Sequence, residues 1–203
     1  MARFYFLFIA FLITIGPVAG QGTYYYVNQT EVGALLGRTT GMEQRATLSF
    51  QTFNGIKIHP KHELGILIGH DSYPLVNLVP LAIGWRGMLT EGKKVTPYAS
   101  LDIGHASAVF DRRKVEGTFE SWYQGGLYLS PSIGIRHQSK DPNLAFSWSI
   151  GLKRQHFSYY EGNRNNPLGP APPNSPLPPG FTMVRTDNHI LNSLHLKWGI
   201  IFR

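Results

Sequence analysis

The 203-residue sequence contains no cysteine, which excludes a disulfide framework and a lipid anchor on an N-terminal cysteine. Charge is also sparse. Asp, Glu, Lys and Arg make up 15% of the chain and are scattered rather than gathered into a patch, which argues against a nucleic-acid partner despite a formal net charge of +7. Ala, Glu and Lys never accumulate in a window of 3.6-residue period, so amphipathic helices are not expected. One long apolar run occurs, Phe4 to Ile15, and it is shorter than the about 20 residues a membrane helix needs. Ligands for a metal do not converge either: His59 and His62 flank one turn and His70 closes the following strand, placing them at opposite ends, whereas a site needs at least three together. No metal and no cofactor are expected.

The apolar run follows Arg3 and ends in Gly16-Pro17-Val18-Ala19-Gly20, the pattern of a secretory signal peptide cleaved after Gly20. Residues 1–20 are therefore read as the signal peptide and 21–203 as one exported domain of roughly 180 residues. Loss of Arg3 leaves a formal +6, a balance that suits contact with anionic lipid.

Period-two alternation supplies the rest of the organisation. It predicts strands at about Thr30 to Leu36, Arg45 to Lys57, Glu63 to Asp71, Asn77 to Leu89, Tyr98 to Phe110, Gly125 to His137, Leu144 to Phe157, and Asn188 to Phe202. The seventh is the clearest. Leu144, Phe146, Trp148, Ile150 and Leu152 lie on one face and Ala145, Ser147, Ser149, Gly151 and Lys153 on the other. In a soluble sandwich or lipocalin-like barrel the outer face is rich in charge and the enclosed face carries the bulky apolar groups. Here the second face is small and polar, suited to a narrow interior, so the apolar face is expected to meet lipid. The fold class expected is all-β, an eight-stranded antiparallel up-and-down transmembrane β-barrel in the bacterial outer membrane.

Connection lengths agree with that assignment. With both termini periplasmic, the odd-numbered connections are extracellular, and the two longest, Asp111 to Gln124 and Ser158 to Asp187, both fall there. The second (158–187) contains Pro167 to Gly180, in which half the residues are proline, and is expected to be an extended surface excursion. Such a loop could also meet a surface partner. Pro80 and Pro131 lie inside expected strands, where each predicts a local bulge.

Three stretches carry a family resemblance: Lys93-Lys94-Val95-Thr96-Pro97-Tyr98-Ala99-Ser100-Leu101-Asp102-Ile103-Gly104, Gly125-Gly126-Leu127-Tyr128-Leu129-Ser130-Pro131-Ser132-Ile133-Gly134-Ile135-Arg136, and the final strand. They resemble the small outer-membrane β-barrel domain proteins of Bacteroidetes, similar in layout to barrels of the OmpA and OmpX kind. The resemblance implies a fold, a location and no catalytic residues. It also implies recognition of a terminal aromatic by the outer-membrane assembly machinery. This sequence ends Phe202-Arg203, with the aromatic displaced by one position.

Strand direction and parity place Glu31, Glu63, Arg86, Asp102, Arg136 and Lys197 inside the periplasmic half. Arg86 and Asp102 are expected on adjacent strands, and Lys197 beside Glu31 where the last strand closes on the first. An interior network that plugs the barrel follows, because eight strands leave a lumen that side chains fill and buried charges need partners. Two alternatives use other residues. His105 and Ser107 lie two apart on the lipid-facing parity, with Glu116 and Glu120 in or near the next hairpin, a set that resembles the outward-facing site of an eight-stranded lipid A deacylase and would make the protein an acyl hydrolase of lipid A or phospholipid. A secreted barrel binding a small apolar ligand is the other, against which stands the absence of a Gly-x-Trp signature at the first strand. Trp85, Trp122, Tyr123, Tyr128, Trp148, Tyr159, Tyr160 and Trp198 are read as interfacial girdles or lipid-facing anchors. The favoured expectation is a monomeric, non-enzymatic outer-membrane barrel with a structural or surface-interaction role, its partners being lipid, the assembly machinery and whatever its loops meet.

Overall fold

The computed structural model describes residues 25–38, 44–90, 92–111, 113–164 and 180–203. The expected signal peptide and most of the proline-rich stretch lie outside the described residues. Among the described residues nine strands follow in order: β1 (Tyr25–Arg38), β2 (Gln44–His59), β3 (His62–Ser72), β4 (Asn77–Met88), β5 (Val95–Ser107), β6 (Lys114–Glu116), β7 (Phe119–Gln138), β8 (Leu144–Asn163) and β9 (Met183–Phe202). Every pairing is antiparallel. Each strand pairs with the next around the ring, β5 pairs with β7, and β1 with β9, so eight strands close into a barrel. Closure matters because an open sheet edge would leave backbone N–H and C=O groups unsatisfied in hydrocarbon.

The ninth strand is a short addition. β6 pairs with the start of β7 from Lys114↔Ser121 to Glu116↔Phe119. The two-residue loop between them needs a left-handed residue, supplied by Gly117 at φ 62°. The expected connection 111–124 is therefore partly sheet. Residues 158–163 and 183–187, also expected as loop, continue β8 and β9. β7, β8 and β9 each run 20 residues against 11 to 13 for β3 to β5, so the wall stands higher on one side. β1 begins at Tyr25, earlier than expected at Thr30, because Tyr25 to Gln29 find partners in Lys57 to Phe53 of β2.

The two internal prolines do not produce bulges. Pairing skips Pro80 on the β3 side and resumes in the same register, and Gly69 faces the ring at that point. Pro131 is skipped on the β8 side, again without a shift. A proline removes one donor from one side of the ladder, and here the loss is absorbed by a gap of two pairs in each ladder. The register shifts lie elsewhere, at Lys57 to His59 and Gly125 to Tyr128.

Bulky apolar side chains cover the outside. Leu48, Ile66, Ile83, Ile133, Leu152 and Leu196 are all exposed, and Trp148 is 53% exposed, a continuous apolar surface with no place on a water-soluble protein. A polar cluster interrupts it on β1 and β2. Tyr26 donates to Asn54 at 2.6 Å, Asn28 to Thr52 and Asn54 at 3.0 and 2.8 Å, and the Thr30 and Thr52 hydroxyls lie 3.1 Å apart. These groups satisfy one another, which makes an apolar setting tolerable.

The interior is not uniformly small and polar. At the end away from the termini, Leu35, Leu67, Leu78, Ala82, Ala106, Tyr128 and Phe157 pack inside with Tyr73 and Val76, which the β3–β4 connection folds into the lumen. The Tyr73 N–H bonds the Val76 carbonyl at 3.1 Å, and its hydroxyl donates to Gln155 Oε1 at 3.0 Å. Tyr128 is thus an interior residue and not part of a lipid-facing girdle, while Trp85, Trp148 and Trp198 do point outward. Trp122 and Tyr160 stack at 5.2 Å on the tall extension of β7 and β8.

Candidate functional site in the barrel interior

Alternation sends every second side chain of each strand into the lumen, and the middle of the barrel carries buried charge. Glu31, Glu63, Arg86, Asp102, Arg136 and Lys197 are all buried. Arg86 donates to Asp102 at 2.6 Å from the neighbouring strand, its guanidinium lying 4.3 Å from the centre of the Phe53 ring. Arg136 grips Glu63 with two parallel bonds of 2.8 and 2.9 Å. β3 and β7 are not neighbours in the sheet, so this fork crosses the lumen.

Lys197 does not touch Glu31 directly. Gln51 stands between them, accepting from Lys197 Nζ at 3.0 Å through its carbonyl and donating through its amide to Glu31 Oε2 at 2.7 Å. An amide has both a donor and an acceptor, so it bridges unlike charges that the sheet holds too far apart to meet. Gln29 acts in the same way on the other side, accepting from Arg136 at 2.7 Å and donating to Glu31 Oε1 at 3.0 Å. The result is one continuous path, Glu63–Arg136–Gln29–Glu31–Gln51–Lys197, across the barrel.

A further pair was missed in the sequence. Lys153 Nζ reaches both Asp71 oxygens, at 2.7 and 2.8 Å, and both side chains are fully buried. It also donates to Ser49 at 3.2 Å and lies 5.4 Å from the Tyr128 ring centre. The signal was present: Asp71 shares the parity of Glu63 on β3, and Lys153 that of Ser147 on β8. Towards the same end Arg45 is buried over the Tyr73 ring, and Glu120 is held by Arg113 and Arg164. Among the described residues, buried charges thus number five acids (Glu31, Glu63, Asp71, Asp102, Glu120) against five bases (Arg45, Arg86, Arg136, Lys153, Lys197), a neutral filling.

The outward pair is placed differently. His105 and Ser107 lie on the outer face of β5, opposite Leu81 and Val79 of β4. No hydrogen bond joins them among the described residues. Of the two carboxylates considered for orienting the imidazole, Glu120 is buried and engaged with two arginines, and Glu116 is exposed on β6 facing Phe119. The His59 and His62 rings lie 5.4 Å apart across the β2–β3 turn, tilted by 35°, and His70 lies at the other end of β3. No group of three or more metal-capable side chains occurs among the described residues.

An apolar exterior, a closed antiparallel sheet and an interior lined by buried charge define an outer-membrane-type β-barrel. Solved structures agree on the fold. The chain is similar to outer membrane protein OprG from Pseudomonas aeruginosa (TM-score 0.56, 12% identity, covering 88% of this chain and 96% of that one). It is also similar to Neisserial surface protein A (TM-score 0.52, 13% identity, 87% and 96%) and to outer membrane protein AlkL in lipid bilayers (TM-score 0.52, 12% identity, 92% and 93%). At such identities the likeness is one of fold. No protein-family model and no curated protein matches the sequence.

Proposed function

We propose that this protein is a non-enzymatic barrel of the bacterial outer membrane whose lumen is closed, and that it serves the envelope structurally or through the loops it presents. The observation that carries this reading is the lumen-crossing path from Glu63 through Arg136, Gln29, Glu31 and Gln51 to Lys197. A conducting pore needs a column of water. Paired charges and amides at the centre, and the packing of Tyr73 and Val76 among buried residues toward the far end, support a closed lumen.

Within this reading residues 1–20 are an export signal and 21–203 the barrel domain, with the connection between β8 and β9 forming its longest extracellular loop. The end bearing the termini faces the periplasm, insertion uses the assembly machinery that reads a terminal aromatic near Phe202, and the chain acts as a monomer of the Bacteroidetes barrel type. Membrane fractionation tests the location: the protein resists carbonate extraction and migrates differently on gels before and after boiling. Release by carbonate, or migration indifferent to heat, contradicts the reading. Electrical measurement in a planar bilayer tests the closed lumen.

A further inference from the structure

We propose that the mouth of the barrel beside the termini is a binding cup for a multiply charged phosphate group, a function separate from the closed lumen above it. A cavity of about 440 Å³ opens there, within the range of small-ligand sites. Lys57, Lys93, Lys94, Lys140 and Arg203 line it, with the Arg136–Glu63 fork also in its wall. Glu63 is the one side-chain carboxylate among the described lining residues, and Arg136 already occupies both of its oxygens. Five cations are therefore left facing one concavity, and none of them forms an ion pair among the described residues. Like charges gathered in a concave wall focus a positive potential and repel one another until an anion arrives.

The backbone around the cup is built rather than loose. Leu89 N–H bonds the Pro97 carbonyl at 2.9 Å, closing the β4–β5 connection, and Gln138 N–H bonds the Lys94 carbonyl at 2.8 Å, tying that connection to β7. The Gln138 amide donates to the carbonyls of Asp141, Pro142 and Leu144 at 3.1, 2.9 and 2.9 Å, fixing the turn that carries Lys140. Its carbonyl accepts from Arg203 at 3.0 Å, and Arg203 N–H bonds Asn143. The Gln138 side chain thus positions the segments of Lys140 and Arg203, and its backbone N–H positions that of Lys94.

Donor capacity is also left unused. Arg136 is 2% exposed and its Nε has no hydrogen-bond partner, and the buried Thr90 hydroxyl in the same wall has none. Buried donors are normally satisfied. Several separated lysines with unused donors match a group of compact, multiple negative charge better than a single carboxylate, and lysine serves phosphate as a point charge. That chemistry can arrive as a soluble phosphate compound or as the headgroup of an anionic phospholipid.

The test uses the full chain in discs of phosphatidylcholine alone, titrated calorimetrically with inorganic tripolyphosphate. Saturable binding that weakens with added salt is expected. K93Q/K94Q should weaken it at least about tenfold, K140Q should weaken it less, and K114Q on β6 should leave it unchanged. Heat-modifiable migration checks that each variant is folded. Discs containing phosphatidylglycerol then separate the sources. Affinity falls as that lipid is added if headgroups occupy the cup, and holds if the ligand is soluble. Absence of saturable binding in neutral discs, or equal binding by K93Q/K94Q and the unaltered chain, overturns the proposal.

Discussion

Arg136 and Glu63 meet across the lumen through two parallel hydrogen bonds of 2.8 and 2.9 Å, although their strands are not adjacent in the sheet. Such a fork ties opposite walls together, and its two members depend on each other. Arg136→Ala leaves Glu63 buried without its partner, at a cost of about 3–5 kcal/mol. Replacing both, Glu63→Leu with Arg136→Met, should recover most of that loss. Urea unfolding of the lipid-reconstituted protein, followed by tryptophan fluorescence, measures both. A single variant as stable as the parent would show that the fork is not what joins the walls.

Lys153 and Asp71 offer an independent measure of the same principle nearer the other end. Lys153→Met and Asp71→Asn should each destabilise, and the double variant should cost less than their sum, with a coupling of about 0.5–3 kcal/mol. A coupling of zero would mean that the pair does not interact in the membrane-inserted state.

The apolar exterior predicts a contrast between neighbours on one strand. Ile150→Arg, on the outward face of β8, should cost about 2–4 kcal/mol if it lies at the middle of the bilayer. Ser149 points inward beside Glu31, to which it donates at 3.3 Å, so Ser149→Ala should cost about 1 kcal/mol through its lost hydrogen bond. The same unfolding measurement ranks them. Equal costs would mean that the outer face does not contact hydrocarbon.

Much of this arrangement was legible in alternation alone. Period two fixes the face of each residue independently of strand ends, so the sequence alone places Glu31, Glu63, Arg86, Asp102, Arg136 and Lys197 inside. What alternation cannot show is distance across the lumen. Arg136 finds Glu63, and Gln51 intervenes between Lys197 and Glu31, because barrel diameter and strand stagger decide which inward residues meet. The tall ends of β7, β8 and β9 give no strand signal in the sequence, because Trp122-Tyr123 and Tyr159-Tyr160 are bulky on both faces and break the alternation. Tyr73 and Val76 were hidden for another reason: a short connection gives no periodicity to show that it folds into the barrel.

For the non-enzymatic reading, Ser107→Ala should leave the acylation pattern of lipid A and phospholipid unchanged in cells producing the protein. Mass spectrometry of extracted lipid checks this. An acyl chain retained in the variant and lost with the parent would restore His105 and Ser107 to a catalytic role.

The central claim is a lumen closed by paired charge, and single-channel recording in a planar bilayer tests it most directly. The reconstituted protein, with insertion confirmed by heat-modifiable migration, should show no large, stable conductance steps across the voltages applied. Discrete, long-lived openings would contradict the account.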